Sequence, residues 1–124
     1  MVRAKGEYSL KKVSYILFDQ QPIRDTKYYY PLCLIDLGRA IAWGFEVENS
    51  TDQIATCDLI GGSLNVPAGV GTLGSNASVT VAAGAVAPIA TNIWLPFLGV
   101  RVSFGTSPTV NYIKVTGWVQ EKAD

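Results

Sequence analysis

The side chains that could do chemistry in this 124-residue chain are carboxylates, two thiols and a set of aromatic rings, because the sequence contains no histidine. Histidine is the commonest general base and a common ligand of zinc and copper. Without it, a nucleophilic serine or cysteine would need a lysine or a carboxylate as its base, and no G-x-S-x-G sequence is present. We therefore predict no catalytic residue, no cofactor and no metal site.

One pair of carboxylates has a spacing that an enzyme could use. Glu46 and Glu48 would lie on one face of a strand, about 7 Å apart by strand rise, and Asp52 and Asp58 follow on the next predicted segment. Two carboxylates at such a spacing could act as the acid and base of a glycosidase. We favour the simpler interpretation that both glutamates lie on a solvated face, opposite Trp43.

Motifs for binding metals or phosphates are missing from the sequence. The loop carboxylates do not fit the D-x-[DN]-x-[DN]-G spacing of a calcium loop: Asp19, Asp25 and Asp36. The glycines from Gly61 onward follow neither the G-x-G-x-x-G nor the G-x-x-x-x-G-K-[ST] pattern. Cys33 and Cys57 stand far apart without a C-x-x-C pair, so we expect two buried thiols, with a disulfide as the alternative.

Aromatic side chains are the main candidates for binding. Rings with an apolar body and a polar tip are favoured at protein–protein interfaces, and flat rings can also stack on sugars. We select nine interface candidates, five aromatic residues and four apolar residues of a glycine-rich stretch: Tyr28, Tyr29, Tyr30, Trp94, Trp118, Leu64, Val66, Val70 and Leu73. Trp43 lies in an alternating apolar run and is expected in the core. Trp118 lies on the polar face of its strand, where either a partner or internal packing would cover it.

The composition indicates one folded domain with few charges. Apolar residues make up 48% of the chain and charged residues 16%, and ten acidic side chains balance ten basic ones. Proteins that bind nucleic acids through phosphates usually carry a basic excess, so we predict no nucleic-acid partner. Near-neutral surfaces tend to associate, which suggests that another chain covers part of this one.

Neither a signal peptide nor a membrane span is recognisable in the sequence. The N-terminus carries charge but no apolar segment, and no stretch approaches the roughly 20 apolar residues that cross a bilayer. We therefore expect no membrane partner and synthesis in a cytoplasm. The formal glycosylation motifs Asn49-Ser-Thr and Asn76-Ala-Ser are then interpreted as turns.

Alternation of apolar residues predicts strands along most of the chain. Within residues 39–48, four large apolar side chains share one face: Ile41, Trp43, Phe45 and Val47. Turn formers at 49–52 and an apolar run at 53–60 follow, which predicts a β-hairpin. Residues 98–104 have one clean apolar face, and residues 110–120 alternate around Ile113, Val115 and Val119. Further strands are expected within 7–18, with a bulge, and within 28–36, 78–84 and 86–95.

The remaining segments are predicted to be loops and chain ends. Residues 1–6 form a flexible tail, 19–27 a polar loop, 61–76 a glycine-rich loop with at most a short strand at 64–66, and 121–124 a frayed terminus. Seven or eight short strands without a convincing helix predict an all-β fold. We expect residues 1–124 to form a single-domain antiparallel β-sandwich of jelly-roll or immunoglobulin-like type.

The portion from about Glu46 to Gln120 resembles small β-sandwich domains of bacteriophage virion proteins, of the head decoration (cement) or tail-associated type. The resemblance rests on these segments: Asn49-Ser-Thr-Asp-Gln-Ile-Ala-Thr-Cys-Asp-Leu-Ile-Gly61, Val81-Ala-Ala-Gly84, Pro96-Phe-Leu-Gly-Val-Arg-Val102 and the closing strand at 110–120. It implies a structural protein of the virion surface, made in the host cytoplasm, that self-associates, often as a trimer, and binds a protein lattice.

Two other classes of function remain open from the sequence. One is a monomeric carbohydrate-binding module that uses Tyr29, Trp94 or Trp118 as a stacking platform. The other, more remote, is a carboxylate-based glycoside hydrolase built on Glu46 and Glu48.

Overall fold

The computed structural model of the protein describes residues 10–67 and 77–122. The regular elements in these two ranges are eight β-strands, and neither range contains an α-helix. In chain order the strands are β1 (Leu10–Gln21), β2 (Ile35–Asp36), β3 (Ala40–Asn49), β4 (Ala55–Gly62), β5 (Ser78–Val81), β6 (Ala85–Ala90), β7 (Phe97–Phe104) and β8 (Ile113–Lys122).

The strands form two antiparallel sheets that pack face to face. The first sheet has the order β1-β8-β3-β6 and the second the order β2-β7-β4-β5. The pairs are nested, since β1 pairs with β8, β2 with β7, β3 with β6 and β4 with β5. A long hairpin rolled up on itself gives this order, which is that of a jelly roll. The predicted antiparallel β-sandwich is confirmed, and it has the jelly-roll rather than the immunoglobulin-like order.

The core lies between the sheets and follows the alternation seen in the sequence. On β7 the predicted apolar face is buried, with exposed fractions of 0–2%: Leu98, Val100, Val102 and Phe104. On β8, Ile113, Val115 and Val119 are fully buried. Residue 117 shares their face, and it is a glycine because side chains from other strands fill the space beside it. A Cβ atom there would lie 2.7 Å from Cγ2 of Ile35.

The predicted hairpin of β3 and β4 is wrong. β3 pairs with β6 and β8 in the first sheet, whereas β4 pairs with β5 and β7 in the second. The segment 50–54 therefore crosses from one sheet to the other. The buried amide of Asn49 holds this crossing by donating to the carbonyl oxygens of Gln53, Val81 and Ala82, at 2.8, 3.1 and 3.3 Å. Hairpins and crossings show the same alternation along each strand, so the pattern could not separate them.

The predicted apolar face of β3 is interrupted at its start. The pairing of β3 with β8 shifts between Ala40 and Ala42, so Ile41 is an extra residue and is 49% exposed. Such a bulge turns the strand and redirects the side chains before it. Phe45 and Val47 are buried as expected, while Trp43 is only half-buried and packs on the rim of the core.

Several strand ends differ from the predicted ones. β1 contains register shifts, as expected, but continues to Gln21, into the predicted loop 19–27. β4 continues to Gly62 in the glycine-rich stretch, residues 64–66 form no strand, and β6 ends at Ala90 rather than near Leu95. β8 continues to Lys122, two residues into the stretch expected to fray. The predicted tail 1–6 and most of the glycine-rich loop, 68–76, lie outside the described residues.

Candidate functional site

The nine interface candidates do not form one site. Tyr28 and Tyr30 lie with Arg101 on the outer side of the second sheet, which we call the tyrosine surface. Trp118 lies on the outer face of the first sheet, the tryptophan surface. Leu64, Val66 and Trp94 lie on loops at one end of the sandwich, the apolar end. Val70 and Leu73 lie outside the described residues.

An ion pair lies at the base of the tyrosine surface. Arg101 of β7 stands opposite Asp58 of β4, and its Nη2 and Nε atoms donate to Oδ2 of Asp58 at 2.8 and 3.2 Å. The hydroxyl of Ser78 donates to the other carboxylate oxygen. The ring of Tyr28 covers the guanidinium, with its centroid 3.7 Å from Cζ, which is cation–π geometry. The charges of Arg101 and Asp58 therefore neutralise each other beneath the ring of Tyr28.

The same contacts fix the charge of Arg101. Burial opposes the charged form, but hydrogen bonds to Asp58 and Tyr30 outweigh it, so the pKa of Arg101 is raised. Both partners of the pair are used structurally, and Tyr28 remains 57% exposed above them. Tyrosine and arginine are enriched among the residues that contribute most to protein interfaces, so this surface is suited to protein contact.

Tyr29 differs from its two neighbours because it serves the sandwich itself. Its main chain exchanges hydrogen bonds of 2.8 and 2.9 Å with Val102, so it extends the second sheet beside β7. Its hydroxyl donates to Asp25 at 2.9 Å, and burial together with this carboxylate raises the pKa of Tyr29. The ring packs against the core.

The apolar end is formed by loops that leave neighbouring strands. Leu64 and Val66 follow β4 and are 67% and 51% exposed, and Trp94 precedes β7 and is 50% exposed. Gly62 pairs with Phe97, so these loops emerge side by side. Trp94 donates its indole N–H to the carbonyl of Leu37 at 2.9 Å, which fixes the ring although half of it is exposed.

The tryptophan surface is the outer face of the first sheet and carries one tryptophan, on the second strand of that sheet. Trp118 of β8 is half-buried and pairs with Ser14 of β1 on one side and Gly44 of β3 on the other. The indole leans over Gly44, since a Cβ atom built there would lie 3.0 Å from Cζ2 and 3.1 Å from Nε1. Shallow depressions lie on both sides of the ring along β8.

The four carboxylates considered for catalysis lie on three different segments, with only Glu46 and Glu48 on the same strand. Glu46 is exposed and Glu48 half-buried on the outer face of the first sheet, opposite Thr116 and Lys114 of β8. Asp58, expected beside them in a hairpin, belongs to the other sheet. Asp52 accepts hydrogen bonds from the main-chain and side-chain groups of Thr109 at 2.9 and 2.5 Å. Within residues 10–67 and 77–122, no group of three or more Cys, Asp or Glu residues is placed to hold a metal ion.

Both cysteines are free thiols with different surroundings. Cys57 is buried in the core, and burial followed by the nearby Asp58 raises its pKa to about 12 from an ordinary 9.0. Cys33 is half-buried, and burial raises its pKa as well. Its sulfur donates to the carbonyl of Ile16 at 3.5 Å.

We expect iodoacetamide at pH 8 to modify only Cys33 in the folded protein and both cysteines after unfolding, because only the thiolate reacts. Intact mass spectrometry would count the modifications. The raised pKa of Cys57 favours the folded state below pH 9, and this contribution disappears as the pH rises toward 12. The Cys57→Val variant should therefore lose less stability than wild type between pH 9 and pH 12. Rapid modification of Cys57 in the folded protein would show that its thiol is not buried with a raised pKa.

Sequence reasoning missed three residues that shape these surfaces. Asp58 and Arg101 are the only charged residues of β4 and β7, and single opposite charges in two apolar strands could have indicated a pair. Gly44 left no comparable signal, because its role depends on the register that places Trp118 beside it.

A search for membrane spans and comparisons with known proteins do not identify a function for these surfaces. A search of the described part of the chain finds no helix long and apolar enough to cross a membrane. No family model, no curated protein and no solved structure matches the sequence or the fold of this chain.

Proposed function

We propose that this protein is a non-enzymatic structural protein that self-associates and binds a larger protein assembly through its apolar end. The observation that carries the proposal is the exposure of three large apolar side chains, 50–67%, at that end. Residues 63–67 and 91–96, which lie in the two loops, contain no charged side chain. Cores of protein interfaces are depleted of charge and enriched in aromatic residues, so this surface has the composition of an interface core.

A virion is the assembly that we favour. Eight-stranded jelly rolls are common in viral capsid proteins, and the segments from Glu46 to Gln120 resemble those of phage decoration and tail-associated proteins. One fold can carry many functions, so the jelly roll supports this role but does not assign it. We propose a trimeric self-association on the virion surface, after synthesis in the host cytoplasm.

The test compares two pairs of exposed apolar residues at opposite ends of the sandwich. The double variant Leu64→Ser/Val66→Ser removes apolar surface from the apolar end. The matched control is Ile54→Ser/Val110→Ser, whose side chains are 59% and 46% exposed near the contact of Asp52 with Thr109. Light scattering on a size-exclusion column would give the solution mass of each protein.

We expect a wild-type trimer or larger oligomer and a Leu64→Ser/Val66→Ser variant whose association is weaker by at least about a hundredfold, because burying two such side chains is worth about 3 kcal/mol. The control variant should keep the wild-type mass, and circular dichroism should show all three proteins folded. A wild-type monomer at about 100 μM, or equal masses for both double variants, would refute self-association through the apolar end.

A further inference from the structure

We propose that the outer face of the first sheet binds a saccharide, with the indole of Trp118 as the stacking platform. This binding function is separate from assembly through the apolar end, because the two surfaces share no residue. It rests on the orientation of one ring, its unused hydrogen-bond donor and the polar groups around it.

The orientation of the ring is set by a glycine. Trp118 and Gly44 are direct partners across β8 and β3. Side chains of such partners normally stand side by side, but position 44 has none. The indole atoms Nε1, Cε2 and Cζ2 lie only 3.0–3.1 Å from where a Cβ atom would be. The ring is thus laid over the neighbouring strand, which leaves part of its surface open on the sheet face.

The indole N–H of Trp118 is free to bind a ligand. Trp43 and Trp94 donate theirs to the carbonyl oxygens of Ile93 and Leu37, at 3.1 and 2.9 Å. Among the residues that the structure describes, Trp118 donates to no acceptor. Every buried side-chain nitrogen or oxygen in those residues has a partner. The Nε1 atom of Trp118 must therefore be accessible to solvent.

Polar groups border the ring on both sides. Lys12 lines both depressions; residues that include Ser14, Glu46 and Thr116 line the first as well, and Gln120 lines the second. The ion pair that joins two described residues is that of Arg101 with Asp58, so neither Lys12 nor Glu46 is used in an ion pair within the described ranges. Thr116 and Gln120 are four residues apart, about 13 Å along the strand. A ligand crossing the ring would therefore be longer than one sugar ring.

This combination fits a saccharide better than another protein surface. A pyranose presents an apolar C–H face, which stacks on an aromatic ring, and hydroxyl groups at its rim that both donate and accept hydrogen bonds. The amide, ammonium and carboxylate groups beside Trp118 meet both needs. A second copy seated on this face would instead desolvate Lys12 and Glu46, and interface cores avoid such charges.

The test is a titration of the ¹⁵N-labelled protein with four soluble probes, namely cellohexaose, laminarihexaose, chitohexaose and mannohexaose. The indole N–H signals separate the three tryptophans, and the Trp118→Ala and Trp94→Ala variants assign them. We expect at least one probe to shift the signal of Trp118 while those of Trp43 and Trp94 stay in place. Trp118→Ala should weaken binding by at least about tenfold, and Trp94→Ala, the matched control, should leave it unchanged.

A second variant tests the orientation of the ring while keeping the tryptophan. In Gly44→Val the new side chain displaces the indole, so binding should again fall at least about tenfold, with the fold retained because valine suits a strand. If Trp118→Ala does not fold, Gly44→Val still tests whether saccharide binding depends on the Trp118 ring. The proposal is overturned if no probe shifts the Trp118 signal at about 10 mM, or if Gly44→Val binds as wild type. A Trp118→Ala variant with a lower oligomeric mass would make this face a contact between copies instead.

Discussion

Replacing Asn49 with alanine should lower the free energy of unfolding by about 3 kcal/mol or more. The side chain is fully buried, and its amide donates to three main-chain carbonyls, one within the crossing between the sheets and two at the end of β5. Its Oδ1 atom also accepts hydrogen bonds from the main chain and the hydroxyl of Thr51, at 3.1 and 2.6 Å. Alanine removes all five of these hydrogen bonds, while the carbonyls of Gln53 and Ala82 keep those from the Thr51 hydroxyl and the Ala85 N–H. Urea denaturation would measure the loss.

Two further variants identify the cause of that loss. Asn49→Asp keeps the acceptor for Thr51 but has no amide to donate, so it should be nearly as unstable as the alanine variant. The matched control is Asn92→Ala, at an exposed position, where we expect a change within about 0.5 kcal/mol. A loss of less than about 1 kcal/mol for Asn49→Ala would show that the crossing does not depend on this side chain.

Replacing Arg101 with alanine should cost about 3 kcal/mol. Asp58 is 7% exposed, and in the variant it would keep the hydroxyl of Ser78 but lose its only countercharge among the described residues. A buried carboxylate without a partner destabilises the folded state more than the intact pair stabilises it. Urea denaturation at neutral pH would measure the effect.

A double-mutant cycle separates the pair from its single members. The Asp58→Ala/Arg101→Ala variant should be more stable than the sum of the single losses predicts, because it removes the stranded carboxylate together with the arginine. Tyr28→Ala, which removes only the ring above the guanidinium, should cost no more than about 1 kcal/mol. Strictly additive losses would mean that Arg101 and Asp58 act independently.

Much of the fold followed from the period of the apolar residues. The alternation in β7 and β8 predicted which residues are buried there, because apolar residues recur at every second position. The same reasoning failed at two places. It could not show that Asn49 ends a strand by changing sheets, since that depends on carbonyls of Val81 and Ala82 far along the chain. It also missed the bulge that exposes Ile41, which a partner strand creates.

The candidate surfaces were harder to predict than the core. Residue type alone selected Tyr28, Trp94 and Trp118, which the structure leaves partly exposed. It also selected Tyr29, whose hydrogen bonds and packing are internal. The strand order is needed to tell which of these residues share a surface. Tyr28, Trp94 and Trp118 are all aromatic, but they lie on three different sides of the sandwich. The orientation of Trp118 requires more still, namely the register that places Gly44 beside it.

The nested strand order also determines when the protein can fold during synthesis. β1 is made first, yet its partner β8 is made last, and Leu10 pairs with Lys122. At ribosomal rates of 5–20 residues per second, the first strand waits roughly 6 to 22 s for its partner. The inner pair β4–β5 can form earlier. Until β8 leaves the ribosome, the edges of β1 and β3 that pair with it stay unpaired. Contacts between nascent chains at these edges should therefore lower the yield of folded protein.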